Sequence, residues 1–171
     1  MTAIGTPVDG RDERHCENRY ALLDQLAEVE AQQALAVAGG GERYVERHRR
    51  RGKLLVRERI ELLIDEDSAF LELSPLAAWG SEFPVGASVV TGVGVVEGIE
   101  CVISASDPTV KGGASNPWTL RKVLRAHEIA LRNRLPLINL TESGGADLPT
   151  QKEIFIPGGA TFRDLTRLSA D

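Results

Sequence analysis

Cysteine, histidine and long apolar runs are scarce in this chain of 171 residues. Cys16 and Cys101 lie far apart and form no Cys-x-x-Cys motif, and only three histidines accompany them. This composition excludes a disulfide framework, predicts no metal site and fits a reducing, cytoplasmic setting. The sequence also lacks an 18-residue apolar stretch, and charged residues stand where a signal peptide would need an apolar core. We therefore expect a soluble protein that does not enter a membrane.

An excess of positive charge is absent as well. The 20 Lys and Arg residues are outnumbered by 25 Asp and Glu, which gives a formal net charge of −5. No overall field attracts nucleic acid, and no RNA-binding aromatic pattern accompanies the basic run at residues 47–53. With 42% hydrophobic and 26% charged residues, the chain is instead predicted to be globular and to have no nucleic-acid partner.

Helical spacing dominates the first part of the chain. Residues 1–17 have no periodicity and are predicted to form a disordered leader. Residues 18–68 are predicted to form a helical region in which Gly39-Gly40-Gly41 acts as a flexible joint. The predicted helices of this region span 18–37, 42–50 and 56–64.

Residues 69–171 alternate strands and helices, which predicts an α/β domain. β-branched runs flank Glu97-Gly98 and predict a hairpin with a tight turn. Asn116 before Pro117 is a typical helix start, because Asn caps well and Pro needs no hydrogen-bond partner for an N–H. The predicted elements are a short strand and turn at 69–78, strands at 88–96 and 99–105, a helix at 117–133, a strand at 135–141 and a last helix through Phe162, Leu165 and Leu168. This order is that of a β-β-α-β unit.

The turn Ser143-Gly144-Gly145-Ala146 follows the last predicted strand and is the first candidate site. Two successive glycines let backbone N–H groups converge on an oxyanion or a thioester carbonyl, because no Cβ stands in the way. Taken alone, these four residues favour a simpler alternative, a turn that only needs positive φ.

The loop at 109–117 is the second candidate, since it places Lys111-Gly112-Gly113 just before a helix N-terminus. A cation, a glycine pair and a helix N-terminus together favour an anion such as a phosphate or carboxylate. The P-loop pattern G-x-x-x-x-G-K-[ST] is absent, which disfavours a nucleotide triphosphatase. An ordinary capped loop is an open alternative.

The basic run at 47–53, continued by Arg57 and Arg59, is the third candidate and fits the phosphates of coenzyme A or of nucleic acid. The open alternative is a solvated helix face on which these cations pair with neighbouring glutamates. Patterns for nucleophilic catalysis are missing, since there is no G-x-S-x-G motif and no Cys near a plausible His. His127 lies on an apolar helix stripe and is expected to be packed rather than catalytic.

Several of these motifs occur together in a recognisable order. The most characteristic is Arg51-Gly52-Lys53-Leu54-Leu55-Val56-Arg57-Glu58-Arg59-Ile60-Glu61-Leu62-Leu63. It is followed by Val90-Thr91-Gly92-Val93-Gly94, by Asp107 to Gly113, by Arg125 to Ala130 and by Ser143 to Pro149. In this combination the chain, from about Asn18 to Ala170, resembles the carboxyltransferase (beta) subunits of biotin-dependent acyl-CoA carboxylases. The Lys-Gly-Gly loop and the Gly-Gly-Ala-Asp-Leu-Pro ending are most similar to the methylcrotonoyl-CoA and geranyl-CoA carboxylase branch of the group that also includes propionyl-CoA carboxylase.

The resemblance implies a crotonase-like fold of ββα turns and a reaction in which carboxybiotin donates its carboxyl group to an acyl-CoA. It implies no directly bound cofactor, because carboxybiotin arrives as a co-substrate from a partner, the biotin carboxylase/biotin carboxyl carrier (alpha) subunit. A homo-oligomer of beta subunits is expected as well. The residues carried over for acyl-CoA binding are Gly112, Gly113, Gly144, Gly145 and Ala146. Those carried over for the coenzyme A phosphates are Lys53, Arg57 and Lys111.

Because of two departures from the family pattern, the sequence does not specify the acyl group of the acyl-CoA. Pro108 stands where the family usually has Ala, and Ser115-Asn116-Pro117-Trp118 replaces a Tyr-rich or Ser-rich stretch. Family members also continue into a further glycine-rich oxyanion segment and a second domain, so we expect a truncated piece without a complete set of catalytic residues. The alternative is a non-catalytic short paralogue that binds acyl-CoA or a full-length subunit. A crotonase-type hydratase is disfavoured, because its acyl-pocket glutamates cannot be assigned here.

Overall fold

The computed structural model describes residues 10–170. Their centre is a four-stranded sheet in the order β1-β2-β3-β4. The strands are β1 (Leu71–Leu73), β2 (Val89–Val96), β3 (Ile99–Ser106) and β4 (Leu137–Leu140). The helices are α1 (Glu13–Ala38), α2 (Glu42–Arg50), α3 (Val56–Glu61), α4 (Pro117–Asn133) and α5 (Gln151–Leu168), with short 3-10 turns at Lys111–Gly113 and Leu148–Thr150. None of the helices within residues 10–170 is long and apolar enough to cross a membrane.

The predicted hairpin is confirmed. Strands β2 and β3 pair antiparallel along their whole length, from Val89 opposite Ser106 to Val96 opposite Ile99. The turn residues Glu97 and Gly98 both have positive φ, as a tight two-residue turn requires. Asp65 holds this turn from the side, since its carboxylate accepts the Glu97 N–H at 2.7 Å and the Gly98 N–H at 2.8 Å.

The predicted start of α4 is confirmed too. The side-chain oxygen of Asn116 accepts the N–H groups of Trp118 and Thr119, each at 2.9 Å, and Pro117 is the first helical residue. The helix ends at Arg134, which has a left-handed conformation. The chain then returns as β4, parallel to β3. Helix α4 is therefore the crossover of a β-α-β connection, and the hairpin before it completes the β-β-α-β order.

Each face of the sheet has its own apolar core. One face packs Val90, Ile103 and Ala105 against Val56 and Ile60 of α3. On the opposite face, Val102 packs against Ala126 and Ala130 of α4. Successive strand residues point to opposite faces, which explains why Val102 and Ile103 are both fully buried.

The N-terminal part departs from the predictions in two ways. Helix α1 begins at Glu13 rather than Asn18, so it includes the end of the predicted leader, while residues 1–9 lie outside the described residues. The glycines at 39–41 do not form a free joint. A Cβ on Gly40 would lie 1.8 Å from the Thr109 carbonyl oxygen, and the Gly40 N–H donates to Thr109 Oγ1 at 3.0 Å. This close approach requires glycine and docks the end of α1 onto the loop after β3.

Candidate functional site

The two glycine-containing loops of the sequence lie side by side. We name residues 111–115 the lysine loop and residues 142–147 the serine loop. Ser115 and Ala146 form a parallel bridge, in which the Ser115 N–H donates to the Gly145 oxygen and the Asp147 N–H to the Ser115 oxygen, both at 2.8 Å. The Gly144 N–H donates to the Gly112 oxygen at 2.9 Å. The structure thus brings together the five residues predicted to bind acyl-CoA, namely Gly112, Gly113, Gly144, Gly145 and Ala146.

Two of these glycines are required by the geometry of the contact. Gly113 has a φ of +69°, and a Cβ there would lie 2.4 Å from the Glu142 carbonyl oxygen. Gly145 has a φ of +98°, a value that other residues rarely adopt. A side chain at either position would force the two loops apart or change their course.

The backbone donors of the serine loop differ in their availability. The Gly144 N–H is bound to the Gly112 oxygen, and the Gly145 N–H donates to Ser143 Oγ at 3.1 Å. Within residues 10–170, the Ala146 N–H has no hydrogen-bond acceptor. An oxyanion can therefore bind at Ala146 directly, whereas binding at Gly144 or Gly145 needs an existing hydrogen bond to be exchanged.

Two of the three predicted phosphate ligands flank the serine loop. The ammonium group of Lys53 donates to the Glu142 carboxylate at the start of the loop, and Lys111 pairs with Asp147 at its end, 3.6 Å away. The hydrogen bond from Lys53 is the main cause of the lowered pKa of Glu142. Both lysine side chains are about half exposed, which leaves them accessible to a ligand.

Arg57 lies elsewhere. Its guanidinium pairs with Glu72 of β1 at 2.9 Å and lines a separate cleft with Phe70. The sequence motif places Arg57 close to Lys53 along the chain, but α3 directs its side chain toward the opposite edge of the sheet, at β1.

Two supporting residues fix the start of the serine loop. Arg59 donates to the Ser106 carbonyl oxygen at 2.6 Å, and Ser106 Oγ accepts the Glu142 N–H at 2.5 Å. Together they fix the point where the chain leaves β4 and enters the serine loop. Arg59 was named in the basic run as a candidate phosphate ligand, but it bonds the backbone at Ser106. Nothing in the local sequence pointed to Ser106, because its partner lies 36 residues away.

The basic run also lies beside the lysine loop. Arg47, His48 and Arg51 line a pocket of about 160 Å³ that extends to Pro108 and Gly112. The buried His48 ring is fixed by a 3.1 Å contact between Nε2 and the Leu54 carbonyl oxygen. Cations thus surround the glycine loops on more than one side, although no cluster of potential metal ligands was found within residues 10–170. Backbone donors and surrounding cations can bind a carbonyl oxygen and phosphate esters.

Comparison with known proteins identifies the family of this site. Residues 47–171 match the carboxyl transferase domain family, and the chain belongs to that family. This confirms the predicted resemblance.

The sequence relatives are carboxylase subunits. The chain is 71% identical over 167 residues to the Mycobacterium tuberculosis "Probable biotin-dependent acyl-coenzyme A carboxylase beta2 subunit", covering 98% of this chain and 32% of that protein. It is 54% identical over 133 residues to the biotin-dependent 3-methylcrotonyl-coenzyme A carboxylase beta1 subunit of the same species, covering 76% and 25%. The chain thus spans about a third or less of the length of these relatives.

Solved structures agree with this family. The beta subunit of Pseudomonas aeruginosa geranyl-CoA carboxylase superposes with a TM-score of 0.90 at 37% identity, over 99% of this chain and 32% of that one. Transcarboxylase 12S, described as a hexamer with hydrolysed methylmalonyl-coenzyme A bound, gives a TM-score of 0.75 at 32% identity, over 86% and 29%. The predicted crotonase-like α/β fold is confirmed by these neighbours.

Proposed function

We propose that this chain supplies the amino-terminal part of a carboxyltransferase, which moves a carboxyl group from carboxybiotin to an acyl-CoA. The observation that carries the proposal is the interlocking of the lysine loop and the serine loop. Both loops contain family-like segments, and their glycines meet at one place between two half-exposed lysines. A thioester carbonyl needs such backbone donors, and the phosphates of coenzyme A need such cations.

The backbone donors have a defined task in this reaction. Removal of a proton from the carbon next to the thioester, or from the conjugated γ-carbon, places negative charge on the thioester oxygen. We assign that oxygen to the Ala146 N–H, which has no other acceptor among residues 10–170 and faces away from the lysine loop, because the Gly145 oxygen and the Asp147 N–H both bond to Ser115. Gly112, Gly113, Gly144 and Gly145 are proposed to line the acyl-CoA site around this loop contact. The resulting carbanion attacks the carboxyl carbon of carboxybiotin, and the bond between that carbon and the ureido nitrogen breaks. Residues 10–170 offer no complete catalytic set for the proton transfer.

The lysines suit a phosphate ligand because their present partners can be replaced. Lys53 and Lys111 bind carboxylates at partly exposed positions, so a phosphate of coenzyme A can take over these contacts at little cost in desolvation. Arg57 is a third proposed phosphate ligand, and it would have to leave Glu72.

Carboxybiotin is proposed as a co-substrate rather than a bound cofactor, delivered by a biotin carboxylase/biotin carboxyl carrier (alpha) subunit. The beta chains are proposed to form a homo-oligomer. Residues 69–171 are proposed as the start of the crotonase-like domain and residues 18–68 as its helical extension. The two cysteines are free thiols, which supports the reducing cytoplasm as the compartment.

The proposal is tested by carboxylation assays on the full natural protein with its biotin-bearing partner. Labelled bicarbonate and ATP are supplied with acetyl-, propionyl-, methylcrotonyl- or geranyl-CoA, and acid-stable label in the acyl-CoA is counted. Lys53→Ala and Lys111→Ala should each raise KM for acyl-CoA by about tenfold and change kcat little, because a charged hydrogen bond to the bound substrate is lost. Lys152→Ala, on α5, is the matched control and should behave as wild type.

Two results would contradict the proposal. The first is the absence of labelled product with every acyl-CoA while the protein still binds coenzyme A, which would favour a non-catalytic acyl-CoA-binding role. The second is a KM for acyl-CoA equal to that of wild type in both lysine variants, which would show that Lys53 and Lys111 do not bind the phosphates of coenzyme A.

A further inference from the structure

The lysine loop has a backbone conformation that most residues avoid. Lys111, Gly112 and Gly113 have φ values of +47°, +68° and +69°, so three successive residues lie in the left-handed region. This region is open to glycine but unfavourable for Lys111, because its Cβ comes too close to a neighbouring carbonyl oxygen. A strained segment of this kind persists only where the surrounding structure holds it. The lysine loop therefore needs partners elsewhere in the chain.

Those partners bind three successive carbonyl oxygens of the loop. The Gly112 oxygen accepts a backbone N–H of the serine loop at 2.9 Å, and the Ala114 oxygen accepts the hydroxyl of Ser88 at 2.6 Å. Between them, the oxygen of the buried Gly113 accepts the hydroxyl of Ser143 at 2.5 Å. Among residues 10–170, this hydroxyl is the only donor to the Gly113 oxygen. Removal of the hydroxyl would thus take away the partner of the central carbonyl group.

The same hydroxyl also holds the serine loop. Ser143 Oγ accepts the Gly145 N–H at 3.1 Å, as serine does in many turns. The other backbone group of Gly145, its carbonyl oxygen, accepts the Ser115 N–H at 2.8 Å. Both sides of Gly145 are therefore fixed. Because the Ala146 N–H belongs to the next peptide group, its direction follows from the orientation of Gly145.

We infer that Ser143 is a positioning residue, which joins the serine loop to the lysine loop and thereby sets the direction of the Ala146 N–H. The inference rests on the proposed function for the role of that N–H. It assigns the Ser143 hydroxyl no contact with substrate, because the hydroxyl donates its proton to Gly113. A hydroxyl that only shaped its own turn could be removed without any effect on the lysine loop, which lies 30 residues away along the chain.

Two variants and a matched control, all made in the full natural protein, separate these roles. Ser143→Ala removes both hydrogen bonds. Ser143→Thr keeps the hydroxyl, and residue 143 is exposed, so an added methyl group can be accommodated. Ser81→Ala is the control, because Ser81 makes the same two kinds of contact in the loop between β1 and β2. Its hydroxyl donates to the Ala78 oxygen at 2.6 Å and accepts the Phe83 N–H at 3.2 Å.

The first test uses amide hydrogen exchange, which needs no activity. Ser143→Ala should increase the exchange rates of the hydrogen-bonded N–H groups of residues 113–115 and of Gly144 about tenfold, the equivalent of one lost hydrogen bond. The interior of α4 should keep its protection, which shows that the variant is folded. Ser143→Thr should stay within about twofold of wild type. Ser81→Ala should leave the exchange of both loops unchanged.

The second test is kinetic. Ser143→Ala should lower kcat of carboxyl transfer about tenfold with KM for acyl-CoA within about twofold of wild type, since the Ala146 N–H binds charge that develops in the transition state. Ser143→Thr should restore at least half of the lost activity. Unchanged exchange of the lysine loop in a folded Ser143→Ala protein, or equal damage by Ala and Thr, would overturn the inference. If wild type transfers no carboxyl group, the proposed function fails, but the exchange test still decides whether Ser143 joins the two loops.

Discussion

Helices α4 and α5 have nearly equal lengths, 17 and 18 residues, but they are held in different ways. Helix α4 buries seven residues, whereas α5 buries only Ile154 and Asp164. Phe155 and Ile156 of α5 are about 85% exposed. Helix α4 is capped by Asn116, and no side chain caps α5, which also contains Pro157. The stability of α4 thus comes from the sheet, while α5 carries an apolar surface that the described core does not cover.

The sharpest way to test this difference is the same substitution on both helices. Leu120 of α4 is 7% exposed and Leu165 of α5 is 40% exposed. Leu120→Ala should lower the free energy of unfolding by about 3 kcal/mol, because a buried side chain is lost and a cavity remains. Leu165→Ala should cost less than about 1 kcal/mol. Urea denaturation followed by circular dichroism measures both, and equal losses would show that α5 is as firmly packed as α4.

A second difference is the buried cation of α4. Lys122 donates to the Val89 oxygen at 2.7 Å and to the Gly86 oxygen at 3.1 Å, and burial lowers its pKa from 10.5 to about 8. Between these pH values the unfolded chain binds the proton that the folded chain has lost, so the free energy of unfolding contributed by Lys122 rises with pH.

Lys122→Met should remove this rise. The difference in the free energy of unfolding between wild type and the variant should grow by about 2 kcal/mol in favour of wild type from pH 8 to pH 10. Denaturant titrations at several pH values measure it, and parallel curves for the two proteins would mean that the Lys122 ammonium is not disfavoured by the folded state.

The smallest expected effect has the opposite sign and belongs to α5. Gly159 lies inside this helix, and a Cβ there would meet no atom within 4 Å. Gly159→Ala should therefore raise the free energy of unfolding by about 0.5 to 1 kcal/mol, since alanine loses less backbone entropy in a helix. Thermal unfolding would detect the change, and a destabilised protein would indicate that this face of α5 is covered by a part of the molecule outside the described residues. Gly40→Ala is a useful contrast, since its Cβ would overlap the Thr109 backbone.

Local patterns predicted the elements whose signals lie within a few residues. The β-branched runs around Glu97-Gly98 gave the hairpin, and Asn116-Pro117 gave the start of α4, because turn and cap chemistry act over short distances. The start of α5 at Gln151 was less evident, since Pro157, Gly158 and Gly159 favour interruption of a helix.

Contacts between distant segments were beyond the reach of local patterns. The bridge between Ser115 and Ala146 and the ion pair of Lys53 with Glu142 both depend on the parallel placement of β3 and β4. Motifs were sufficient to name the candidate phosphate ligands. Only the structure shows that Lys53 and Lys111 lie at the serine loop whereas Arg57 lies at β1. Gly39 and Gly40 are a further example. Their sequence predicted a flexible joint, but both pack against Thr109, which is 69 or more residues away along the chain.

The docked glycines have a mechanical consequence for α1. This helix has 26 residues, so at 1.5 Å per residue it is about 39 Å long. It meets the rest of the described chain at its C-terminal end, where Gly40 contacts Thr109 and Ala36 lies close to Gly86. Helix α1 is thus attached at its C-terminal end to the loop that leads into Lys111-Gly112-Gly113. A rotation of about 10° at this attachment would move the far end of a helix this long by about 7 Å. A small rearrangement of the lysine loop would therefore produce a large displacement of Glu13.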